Sequence, residues 1–155
     1  MFIEKNIEDK LVAALSAIDG VSVTGPWQLS AEGTVKGEET PAKRISIGVA
    51  VSAPVWDAYL VPSCSISVAL SIVVRQEVSP TAADLARVCD PVTRLLLSLQ
   101  LNAEAVDGLL SSPSFSADGV RLDGGQPPVF DSSANTWRVV RSFTVRGVAA
   151  LPTNN

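Results

Sequence analysis

Along residues 45–52, ISIGVAVS, and 64–74, CSISVALSIVV, every second position is a branched or large aliphatic residue, and the positions between are almost all Ser, Ala or Gly. Period-two alternation predicts strands at about 44–53 and 63–76, each with one apolar face. Ile45, Ile47, Val49 and Val51 form that face on the first strand. Ile66, Val68, Leu70, Ile72 and Val74 form it on the second, and the two are expected to pair as an antiparallel hairpin packed on a helix. The opposite face is bare. Ser46, Gly48, Ala50, Ser65, Ser67, Ala69 and Ser71 carry no charge, and within the two runs none appears until Arg75 ends the second. An ordinary half-buried strand shows Lys, Glu, Thr or Gln to water, so these strands either touch something on both sides or expose a flat, uncharged surface.

Spacings of three and four change the period elsewhere. Ile7, Leu11, Ala14, Leu15 and Ile18 predict an amphipathic helix at about 4–18, with Asn6 as its cap, Asp9 in its first turn and Gly20 as a left-handed stop. A short strand from Val21 to Leu29 follows, demoted to an edge or a bulge by Gly25-Pro26. A second helix opens at SPTAADL, capped either by Ser79 with Pro80 at the first helical position or by Thr81 with Asp84 three residues on. Leu85, Val88, Cys89, Val92, Leu95, Leu96 and Leu99 keep helical spacing for four turns. Pro91 interrupts that run and predicts a kink, or a restart capped by Asp90.

Between these elements lie two polar stretches. SAEGTVKGEETPAKR, residues 30–44, reads as a long loop or hairpin arm, either functional or a tolerated surface insertion. Residues 102–135, rich in Ser, Asp, Gly and Pro, predict only a short strand at Val120 to Leu122 and a turn at Asp123-Gly124-Gly125. The final TWRVVRSFTVRGVA is a long strand in which Trp137, Val139, Phe143 and Val145 alternate with Arg138, Val140, Ser142, Thr144 and Arg146. Arg141 falls on its apolar side and must pair, snorkel or lie beyond the core. The sum is one α+β domain over residues 1–155: a central, mostly antiparallel sheet with two main helices on one face, and a frayed tail at 151–155.

Composition narrows the function. The chain has 155 residues, is 46% hydrophobic and carries a net charge of −4, enough for one core and with no basic footprint for nucleic acid. No apolar run approaches the roughly 20 residues of a membrane span, and MFIEKNIEDK lacks the basic start and apolar run of a secretory signal. Histidine is absent, which removes the commonest general base and metal ligand. No P-loop, GxGxxG, GxSxG or metal-ligand grouping occurs, and Asp84, Asp90, Asp118, Asp123 and Asp131 sit where Asp serves caps and turns. An enzyme is not expected, nor a cofactor. Cys64 and Cys89 read as buried small hydrophobes, with a disulfide as the alternative.

Three groups remain as candidates for contact. Arg138, Arg141 and Arg146 read as one basic cluster, either a solvated strand face or the intersubunit partner of the acidic segment with Glu32, Glu38 and Glu39. Trp56 and Tyr59, in the Pro-bounded turn APVWDAYLVP, are either an interface anchor or packed against the domain. The bare faces themselves are the third.

The order of elements resembles the small tail-terminator, or tail-completion, proteins of tailed bacteriophages. The likeness runs through IEDKLVAALSAI, the hairpin RISIGVAVS and CSISVALSIVVRQ, the helix opened by SPTAADLARVCDPV and the closing WRVVRSFTVRG. It implies a structural virion protein, assembled in the host cytoplasm as a homo-oligomeric ring, typically a hexamer. Such a ring sits on the tail tube, contacts the tube protein and the neck or connector protein, and has DNA passing close by without specific binding. The family has no catalytic residues. A head-tail joining protein of the same particle and a monomeric ligand-binding or adaptor domain with a cleft beside the helix are the alternatives.

Overall fold

The computed structural model describes residues 2–26, 45–57, 62–78 and 80–149. Among these described residues it is an α+β arrangement of four helices and a six-stranded, mostly antiparallel open sheet with the helices packed against the strands. The helices are α1 (Ile3–Ser16), α2 (Ala82–Val88), α3 (Asp90–Leu101) and α4 (Ala103–Leu110). The strands are β1 (Val21–Thr24), β2 (Ile45–Val51), β3 (Val55–Trp56), β4 (Ser63–Arg75), β5 (Phe115–Asp131) and β6 (Thr136–Ala149), in the order β1-β2-β4-β6-β5 with β3 beside β4.

The expected hairpin is present. β2 and β4 run antiparallel with Ile45 opposite Val74, Ile47 opposite Ile72, Val49 opposite Leu70 and Val51 opposite Val68. Each named aliphatic except the half-buried Val51 is buried in a single core that also takes Ile7, Leu11 and Leu15 of α1, Leu96 and Leu99 of α3, and Phe143 and Val145 of β6. Because side chains opposite one another in a ladder share a face, the helices cover one side of the sheet, and among the described residues no helix covers the other. β1 is at the edge as expected but pairs with β2 in parallel, and the described strand ends at Thr24. The turn region between β2 and β4 contains β3, which pairs with β4 beyond the end of β2.

Two helix ends differ from expectation. α1 begins at Ile3, with Phe2 at its cap, so Asn6 lies inside the helix. Burial of Ile3 in line with Ile7, Leu11 and Leu15 extends the helix upstream of the better capping residue. At the other end Gly20, at φ +79°, takes the left-handed conformation. The second helical run restarts at Asp90, with Pro91 in the first turn, and the cap is Cys89 rather than Asp90. Thr81 is the cap of α2: its hydroxyl accepts the Asp84 N–H at 3.2 Å.

The segment 102–135 departs most. Asn102 caps α4, its side chain accepting the N–H groups of Glu104 at 3.0 Å and Ala105 at 3.3 Å. Beyond it β5 runs seventeen residues against the fourteen of β6, with three register shifts, between Ala117 and Gly119, Leu122 and Gly124, and Gln126 and Val129. The expected turn at 123–125 is a bulge within this strand. Gly124 has φ +93°, and at Gly125 a Cβ would collide with the Val140 carbonyl, so two glycines let the strand stay paired. The hairpin turns instead after Asp131, whose Oδ1 accepts Ser133 Oγ at 2.6 Å and Ser133 N at 3.0 Å. Those bonds, with the backbone N–H of Ala134, hold the Asp131 carboxyl below the usual carboxylate range.

Candidate functional site

The uncovered sheet face brings the small residues of three strands side by side. Ala50 lies opposite Ala69, and Ala69 opposite Ser142; Gly48 lies opposite Ser71, and Ser71 opposite Val140. Ser46 joins Val73 and Arg138, while Ser67 joins Thr144 and Ser65 joins Arg146. All seven small residues named from the sequence are therefore neighbours on one face. Each is exposed or half-buried, and the unbroken register of β4 with β6 fixes that alternation along the whole strand pair.

A shallow depression of about 520 Å³ occupies the middle of this face, lined by Ala50, Ser52, Ser67, Ala69, Ser142 and Asp123 among others. The Ser52 hydroxyl accepts the Ser67 N–H at 3.0 Å, and the Ser52 N–H donates to the Ser67 carbonyl at 2.8 Å. Those bonds close the end of the β2 ladder. Among the described residues Asp123 supplies the one carboxylate in the depression. Its position in a bulge turns it toward Thr144, whose hydroxyl donates to Asp123 Oδ2, and Arg121 Nε donates to Oδ1 at 2.8 Å. The Thr144 hydrogen bond first, then Arg121, holds the Asp123 carboxyl below the ordinary range. The sequence placed Thr144 on this face but assigned Asp123 to a turn, because no alternation survives a bulge.

The three arginines do not form one cluster. Arg138 and Arg146 sit on the uncovered face near opposite ends of β6, eight residues and roughly 27 Å apart at strand rise. Arg141 points to the helix side, opposite Leu70 and Gly125. Its Nη1 donates to the carbonyls of Gln126 and Val140, both at 3.1 Å. The side chain reaches outward past the core, the snorkelling outcome. Trp56 on β3 is 51% exposed beside Val55, so it is not packed away in the domain. Tyr59, Glu32, Glu38 and Glu39 lie outside the described residues.

What the face can do chemically is limited by what it carries. No group of three His, Cys, Asp or Glu side chains that could hold a metal ion comes together among the described residues. Cys64 and Cys89 are both free and buried, and burial pushes both thiols up, away from the nucleophilic thiolate. No described helix is long and apolar enough to cross a membrane. The β2 and β4 part of the face is small and uncharged, while Asp123 at its centre and Arg138 and Arg146 toward the ends of β6 carry its charge. The chain matches no protein-family model and no curated protein.

Proposed function

We propose that the protein is a structural virion component, a phage tail terminator that assembles as a ring, caps the tail tube and joins it to the neck. The observation that carries this reading is the run of uncharged Ser, Ala and Gly that β2 and β4 present side by side, from Ser46 to Ala50 and from Ser65 to Ser71, on the side of the sheet away from the described helices. A lone soluble domain gains nothing by leaving that face uncharged, and exposed, poorly charged sheet surface is an association hazard that proteins usually suppress. In a ring the face is either covered by a neighbour or becomes the smooth wall of a channel. Either role tolerates small neutral side chains and excludes long charged ones. The resemblance of the sequence's element order to that of tail-completion proteins supports the same assignment.

The test is solution mass by light scattering, with negative-stain imaging of the protein alone and mixed with tail tubes. A closed ring that decorates one tube end is the expected outcome. A protein that stays monomeric at every concentration and never binds a tube end would sink the reading. Binding to the head connector but not to the tube would move the assignment to a head-tail joining protein.

A further inference from the structure

Two features at opposite ends of the subunit complement one another. The first is a cleft of about 230 Å³ beneath α2 and α3, walled by Ile72, Leu85, Val92, Leu96 and Val139 with Cys89 among them. Small-molecule sites run to roughly 300–1,000 Å³, so this cleft has room for about one large aromatic side chain. Arg141 stands on its wall. No carboxylate pairs with Arg141 among the described residues, and Asp90, which also borders the cleft, is held by Arg94 at 2.7 Å. The cleft therefore offers an apolar hole with an unneutralised cation beside it.

The second feature is the corner at β3. Trp56 is half exposed, and Asp57 follows it directly. The Asp57 N–H donates to the Ser63 carbonyl at 2.9 Å, which fixes the backbone at the corner, while its carboxylate has no cationic partner among the described residues. An exposed aromatic with an adjacent carboxylate matches, in size and sign, an aromatic-sized hole with an adjacent guanidinium. A subunit cannot satisfy itself. Trp56 lies opposite Cys64 on β4, whereas the cleft borders Ile72, eight residues or roughly 27 Å further along the strand.

We infer that Trp56 of one copy inserts into the cleft beneath α2 and α3 of a second copy, with Asp57 meeting Arg141. The contact joins two different surfaces, so it repeats head to tail and closes into a ring when the rotation allows. Trp anchors in desolvated pockets carry much of an interface's binding energy, and the charge pair sets orientation. The inference rests on the reading of the protein as a ring-forming component and names the contact that would build the ring.

The test measures oligomer mass at matched concentrations for the wild type, Trp56→Ala, Arg141→Glu, Asp57→Arg and the double variant Asp57→Arg/Arg141→Glu. Each single variant is expected to weaken self-association at least about 30-fold, the scale of a hot-spot loss, and the double charge swap to regain most of it. Asp57 and Arg141 are exposed, and a urea midpoint measured on each variant separates loss of the contact from loss of the fold, which matters most for Arg141→Glu because it gives up two hydrogen bonds to backbone carbonyls. Wild-type rings that persist in all single variants would overturn the contact and leave the ring reading standing. Losses in the single variants without recovery in the double variant would overturn the Asp57–Arg141 pairing. A wild type that is monomeric throughout would overturn both.

Discussion

The two faces of the same three strands are built to opposite rules. On the helix side Ile47, Leu70, Ile72, Phe143 and Val145 are all at most 2% exposed, and any change of volume is felt by a close-packed core. On the other side Ser46, Ala50 and Ser67 are exposed, and little in the folded subunit depends on their identity. Stability is therefore concentrated on one face. The other face is free to be shaped by what it meets.

The largest effect expected from this contrast is at Leu70. Leu70→Ala should cost about 2–5 kcal/mol through lost transfer energy and a residual cavity, read as a fall in the urea midpoint at constant slope. A loss under about 1 kcal/mol would break the contrast from the core side. In the helix layer, Thr81→Ala removes the hydroxyl that accepts the Asp84 N–H and should cost about 1 kcal/mol. On the uncovered face, Ser67→Lys should change stability by no more than about 0.5 kcal/mol yet impair ring formation or passage through the ring. Unchanged assembly and function would refute both roles proposed for that face.

The smallest expected effect is on titration. Asp123 has a lowered carboxyl in the folded protein, so its contribution to stability is present above the ordinary carboxylate value and is lost as pH falls through the lowered one. Thr144→Val removes the first cause of that lowering. Its Asp123 carboxyl should titrate at higher pH than in the wild type, measured by carbon-detected NMR, and acid loss should begin correspondingly earlier. An unmoved titration would mean that Arg121 alone holds the group.

Strict periodicity made the central hairpin and β6 legible from the sequence, because both strands of each pair keep step for their whole length. The segment 102–135 was not legible for the converse reason. Phe115 and Ala117 face the core in one phase and Val120 and Leu122 in the other, with Asp118 absorbing the change. A pattern search sees two fragments where the chain makes one strand. α4 was hidden by length. Its eight residues include Gly108, and only Asn102, Glu104, Val106 and Leu110 signal a capped amphipathic turn. Proximity in sequence groups Arg141 with Arg138 and Arg146, although the alternation that puts it among the apolar positions already separates it from both.

The unequal bookkeeping of β5 and β6 also bears on how such a chain can change over generations. β6 is held on both sides, in unbroken step with β4, so gaining or losing one codon there would exchange its two faces, sending Phe143 to the surface and Ser142 or Thr144 into the core. β5 already absorbs three surplus residues in its irregularities. Homologous chains should accordingly vary in length within 115–131 and keep constant length within 63–75 and 136–149.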